Sequence, residues 1–173
     1  MRIRVLGSAA GGGFPQWNCS CPNCSSLRGG SVKARPRTQA QVAVSSGPSS
    51  WFLLNASPDL RQQILATPEL SVTSSSPGSP ISTILLTSAE VDCVMGLLHL
   101  REFHPLHIYS TLSVRRILTE ENSLFRVLTR SNPPVRWDTL PLDRLIPLVA
   151  PSSPSAKDGF FCKAVPLLGG FPD

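Results

Sequence analysis

Cys19, Cys21 and Cys24 stand within six residues, spaced C-x-C-x-x-C, directly after a glycine-rich run. Thiolates this close can converge on one soft divalent cation, and zinc is the first candidate. A tetrahedral structural zinc takes four ligands. The segment supplies three, so the fourth has to come from elsewhere. A disulfide and a loop of reduced cysteines are the alternatives. Met1-Arg2-Ile3-Arg4-Val5-Leu6-Gly7 has no apolar stretch of signal-peptide length, which favours metal over disulfide.

Other familiar chemistries find no support. Gly7 to Gly13 follows a strand pattern but leads into Pro15 and the cysteines instead of a helix, so it is no dinucleotide fingerprint. No Gly-Lys-Ser/Thr follows to make a phosphate loop, and no serine lies in a Gly-x-Ser-x-Gly elbow. The net charge of +5 and pI of 9.3 would suit an anionic partner. The basic residues are scattered, however, with few aromatics between them, which argues against a nucleic-acid platform. No apolar run is long enough to span a bilayer, and the expectation is a soluble, cytoplasmic protein.

These residues need elements to position them. Ile3–Leu6 reads as a strand; Thr38–Val44 and Ser50–Asn55 read as two more, joined by a hairpin-sized loop. Leu60–Leu65 has the spacing of a short helix, with Ser57 as candidate N-cap and Pro58 at the first helical position. A Ser/Pro-rich loop spans Val72 to Pro80, and Ile81–Leu86 reads as a buried strand. Val94–Glu102 looks helical, Leu106–Tyr109 extended, and Ser113–Leu118 helical with Ser113 as its cap. Phe125–Leu128 suggests further helix, and Phe160–Pro166 a last strand. Hairpin-spaced strands followed by strand–helix alternation predict an α/β (α+β) fold with a mixed sheet and helices on at least one face. One domain over residues 1–173 accommodates this length.

Several segments together resemble the PqqB family of the metallo-β-lactamase superfamily. They are Ile3 through Cys19, Pro36-Arg37-Thr38-Gln39, Asn55-Ala56-Ser57-Pro58-Asp59-Leu60-Arg61, Leu85 through Asp92, Gly96-Leu97-Leu98 and Leu100-Arg101-Glu102. The resemblance covers nearly the whole chain but a little over half of a typical family member. It implies the N-terminal part of an αββα sandwich with mixed sheets, incomplete at the C-terminus, and metal ligands on loops at strand ends. Superfamily members usually carry His-x-His-x-Asp-His after a buried strand, and PqqB-like proteins Asp-Ala-Glu-x-Asp-His. This chain has Ser88-Ala89-Glu90-Val91-Asp92-Cys93.

The resemblance therefore implies catalytic candidates at Asp92, Glu90, Cys93 and Asp59, and a second metal site at Asp92 and Cys93 taking iron(II) or another divalent ion. Read without it, Asp92 caps the following helix, Cys93 packs as a small hydrophobe, and Asp59 stabilises the first turn of its helix. His99, His104 and His107 show no spacing of a ligand pair with Asp92, and surface or packing roles are expected for them. The family's C-x-C-x-x-C is expected to hold a structural Zn2+ with a late histidine; Cys162, the spare thiol outside the metal loop, is the candidate substitute. The implied function is pyrroloquinoline quinone (PQQ) biosynthesis, by metal-dependent oxidation of a tyrosine in the PqqA-derived peptide or by transport of PQQ or its precursor. A truncated, non-catalytic paralogue that keeps its zinc and a binding role is the alternative.

Overall fold

The structure, a computed structural model, describes residues 1–45, 47, 50–72, 78–101, 105–130, 132–148 and 160–167. Six strands form the main sheet in sequence order: β1 (Arg2–Gly7), β2 (Gln41–Ser45), β3 (Trp51–Leu54), β4 (Ile81–Leu85), β5 (His107–Ser110) and β6 (Arg136–Thr139). The hairpin-spaced strands pair antiparallel, β1 with β2 and β2 with β3, whereas β3 through β6 run parallel. This is the mixed sheet that the spacing predicts. A second sheet of two antiparallel strands, β7 (Leu145–Leu148) and β8 (Phe160–Lys163), lies against it.

Side-chain alternation along the strands divides the core. Ala43, Leu53, Ile84 and Ile108 face the helical side, where Leu60, Val94, Leu97, Val114 and Leu118 pack on them. Phe52, Leu85 and Tyr109 face the small sheet, closed by Leu148 with Ile146 and Phe160. The Phe52 and Phe160 rings meet edge-on, centroids 5.3 Å apart at 80°. Helix layer, large sheet and small sheet make three of the four layers of an αββα sandwich.

The helices are short: α1 (Pro22–Arg28), α2 (Leu60–Leu65), α3 (Val91–Val94) and α4 (Leu112–Arg116). Helix α2 has the predicted bounds, but its cap is corrected. Asp59 occupies the N-cap, Pro58 lies outside the helix, and the Ser57 hydroxyl donates to Gln63 Oε1 at 2.9 Å instead. Helix α4 begins one residue early, because Thr111 and not Ser113 accepts the Val114 N–H. The helix expected over Val94–Glu102 is a 3-10 segment, Met95–His99, following α3. Glu102 lies outside the described residues. Another 3-10 segment, Leu124–Arg130, covers the helix expected at Phe125–Leu128. Thr38–Ala40 is loop: its backbone bonds to Ser8 and Ala9 in the glycine-rich segment.

The parallel pairing has a consequence for function. The carboxyl ends of β3, β4 and β5 lie along one edge, and β1, running in the same direction as β3, delivers the glycine-rich loop there too. Crevices outside the carboxyl ends of parallel strands are where α/β folds bind ligands. Among the described residues, no helix is long and apolar enough to cross a membrane.

Candidate functional site

Helix α1 organises the cysteines. Pro22 takes its first position, where the missing N–H costs nothing. Cys21 is the N-cap, and its Sγ accepts the Cys24 N–H at 3.5 Å. That bond, then those from the neighbouring cysteines, hold the Cys21 thiol below its ordinary pKa. Cys24 is buried. The Gln16 backbone lowers its pKa, but burial and the adjoining sulfurs outweigh this and push it up. Cys19 lies on the preceding turn, and the Sγ atoms of all three lie within 4.8 Å of one another.

Three sulfurs at that separation cannot all ionise without a counter-charge, and a dication supplies it. The donor set fits zinc through three thiolates. No fourth His, Cys, Asp or Glu joins the group among the described residues. Cys162 packs in the inter-sheet core on β8, with its thiol pushed up by burial.

A second set of loops is tied together by backbone. Asn55 ends β3 with φ at 66°, and its Oδ1 accepts from both N and Oγ1 of Thr87 after β4. Ala56 donates to Cys93 O and accepts from the Gly96 N–H. A Cβ on Gly96 would sit 2.4 Å from Ser57 O, so only glycine allows this approach. Beneath, the buried Gln41 amide donates to Leu54 O and Asn55 O and accepts from Ser57 N at 2.8 Å. Gln63 binds Ser57 Oγ, Thr38 Oγ1 and Gln39 O. The segments that carry the family resemblance include Thr38, Gln39, Asn55, Ala56, Ser57 and Gly96, but no spacing in the sequence signals that Gln41 and Gln63 join them.

The predicted residues of this edge take separate positions. Asp59 Oδ2 accepts the Gln39 N–H at 2.9 Å, and Asp59 lines a cleft of about 290 Å³ with Gly12, Gly13, Phe14 and Arg37. The Arg37 guanidinium lies 4.9 Å from the Phe14 ring centroid. Glu90 is the N-cap of α3 and exposed; Asp92, in its first turn, is exposed and lies against Gly11. Cys93 is half-buried, and desolvation first, then the charges of Glu90 and Asp92, raise its thiol pKa despite a bond with Thr87. Among the described residues, Glu90, Asp92 and Cys93 do not join a cluster of metal-binding side chains.

His99 ends its 3-10 segment in solvent, and His104 lies outside the described residues. His107 has the packing role expected: it is buried at the start of β5, and its Nε2 meets Asp138 Oδ2 at 2.8 Å. Asp138 also accepts from Arg136.

Residues 50–169 match the family model of the β-lactamase superfamily domain, and the chain belongs to that superfamily. Within it, the chain is a member of the PqqB family. It is 43% identical to coenzyme PQQ synthesis protein B of Pseudomonas paraeruginosa, over 99% of this chain and 55% of that protein. It is 50% identical to the protein of the same name from an Azoarcus species, over 74% of this chain and 42% of the relative. The crystal structure of Zn(2+)-bound PqqB from Methylobacterium extorquens superimposes with a TM-score of 0.77 at 44% identity, covering 84% of this chain and 51% of that one. The chain thus spans about half the length of the curated relatives it matches.

Proposed function

We propose that this chain acts in PQQ biosynthesis as a zinc-stabilised protein that binds the PqqA-derived precursor or PQQ and hands it on. The observation that carries this reading is 43% identity to a PQQ synthesis protein B across 99% of the chain. The convergent sulfurs of Cys19, Cys21 and Cys24 support a structural Zn2+ that braces the N-terminal loop. The cleft between Gly13, Arg37 and Asp59 offers a cation for a carboxylate of the precursor and an aromatic wall, Phe14, beside it.

Oxidation of the precursor's tyrosine is the second reading. A redox metal bound at the strand-end loop would supply oxygen chemistry there, with Asp92, Glu90 and Cys93 as its donors and Asp59 beside the substrate. Among the described residues these side chains do not gather into a metal-binding cluster as the three cysteines do, which favours the binding reading. Metal analysis and turnover separate the readings. One zinc per chain, with saturable binding of the precursor peptide and no product, is expected when iron(II) and O2 are supplied. Product formation would sink the binding-only reading, and a chain without zinc would remove the structural centre.

A further inference from the structure

We propose that Arg28 is a positioning residue of the thiolate centre, holding the turn that carries Cys19 so that its sulfur meets the other two. This rests on the zinc reading above. Cys21 and Cys24 are spaced by the first turn of α1, one as N-cap and the other three residues on. Cys19 precedes the helix and has no such constraint. Its turn is closed by one backbone bond, Cys19 N to Gln16 O at 3.2 Å.

Arg28, in the last turn of α1, reaches back to that turn. Its Nη1 donates to Gln16 O at 2.6 Å and its Nη2 to Cys19 O. One planar fork thus grips both ends of the turn, a geometry that guanidinium offers and ammonium does not. Ser25 Oγ donates to Ser20 O at 3.1 Å, tying down the residue between the first two ligands. The helix therefore contributes two sulfurs from its start and fixes the third from its end. Groups that orient metal ligands in this way are commonly worth about 10–100-fold in affinity.

The test uses the 173-residue chain, stripped of metal and titrated with Zn2+ against a chromophoric chelator, then with Co2+ to read the thiolate charge-transfer band. Arg28→Gln is expected to weaken Zn2+ binding about 10–100-fold and to diminish and shift the Co2+ band. Arg28→Lys, which keeps the charge but replaces the planar fork of two nitrogens by a single one, is expected to fall between. Arg28 is exposed, so neither variant disturbs the core, and far-UV circular dichroism checks the fold. A merely structural arginine would lower thermal stability without moving the Co2+ spectrum. Unchanged Zn2+ affinity and an unchanged Co2+ band in Arg28→Gln would overturn the proposal while leaving the zinc reading intact. A wild-type chain that takes no Zn2+ would end both, and the wild-type titration shows this first.

Discussion

The cysteine loop and the strand-end loops achieve order by opposite means. Around Cys19, Cys21 and Cys24 the backbone is held by a short helix, one arginine and one serine, yet the side chains converge. Around Glu90, Asp92 and Cys93 the backbone is tied to β3 through Asn55, Ala56 and Gly96, yet among the described residues the side chains form no metal-binding cluster. A well-anchored backbone is thus no sign of an assembled metal site. The ligands must also meet, and here Ser88 and Cys93 stand where PqqB-like proteins are expected to carry aspartate and histidine.

Removing a ligand from each region gives the largest contrast. Cys24→Ser is expected to abolish stoichiometric zinc, since it leaves only two of the three sulfurs that converge here and a structural zinc needs four ligands. Asp92→Asn is expected to leave zinc at its wild-type ratio. Elemental analysis of the two purified variants checks both. Zinc lost from Asp92→Asn would break the comparison by making the carboxylate loop the metal site.

Gly96→Ala probes the backbone side of the contrast. Its Cβ would meet Ser57 O at 2.4 Å and Ala56 O at 2.9 Å, and overpacking against backbone is expected to cost about 3 kcal/mol. Gly30 has φ at 70° with nothing within 4 Å of a built Cβ, so Gly30→Ala is expected to cost about 1 kcal/mol for the left-handed backbone alone. Urea unfolding of the two, with metal content measured in parallel, should show stability lost in Gly96→Ala with zinc retained.

Gln41→Leu removes the amide beneath the same loop. It leaves the buried Ser57 N–H and two carbonyls without their partner, at an expected cost of about 2 kcal/mol. An unchanged midpoint in urea would show that water replaces the amide and that the loop's anchorage lies elsewhere.

The difference between the regions also governs what could be read from the chain. The cysteine cluster is local, so its spacing alone announced it. Strands β3 and β4 were legible as short, largely apolar runs bounded by turn residues, and helix α2 by the helical spacing of Leu60 and Ile64. Helix α1 was not: Pro-Asn-Cys-Ser-Ser-Leu-Arg has no apolar face, and a sulfur cap with the Arg28 contacts stabilises it instead. Strands β6 and β7 were hidden by Pro133, Pro134, Pro141 and Pro147, and their pairing depends on β5 and β8, distant in sequence. The Gln41 network and the pair of His107 with Asp138, 31 residues apart, depend on the assembled sheet in the same way.

His107 yields the smallest effect and the cleanest separation of metal from fold. Burial pushes its imidazole below the ordinary value, outweighing the pull of Asp138. The unfolded chain, with histidine near its usual pKa of about 6.5, therefore binds the proton more readily than the folded one. Stability should rise with pH through that window and fall as pH drops below about 6.5, with a slope of at most about 1.4 kcal/mol per pH unit for one proton. Zinc is also released in acid, because protons compete for thiolates. Unfolding is therefore measured on metal-free protein between pH 5 and 7 (on the order of the histidine window). His107→Gln keeps a hydrogen-bonding side chain opposite Asp138 and cannot titrate there, so its stability should stay flat while the wild type declines. Zinc release, followed separately, should keep the same pH dependence in both proteins. A His107→Gln chain that loses stability in parallel with the wild type would move the acid-sensitive group elsewhere.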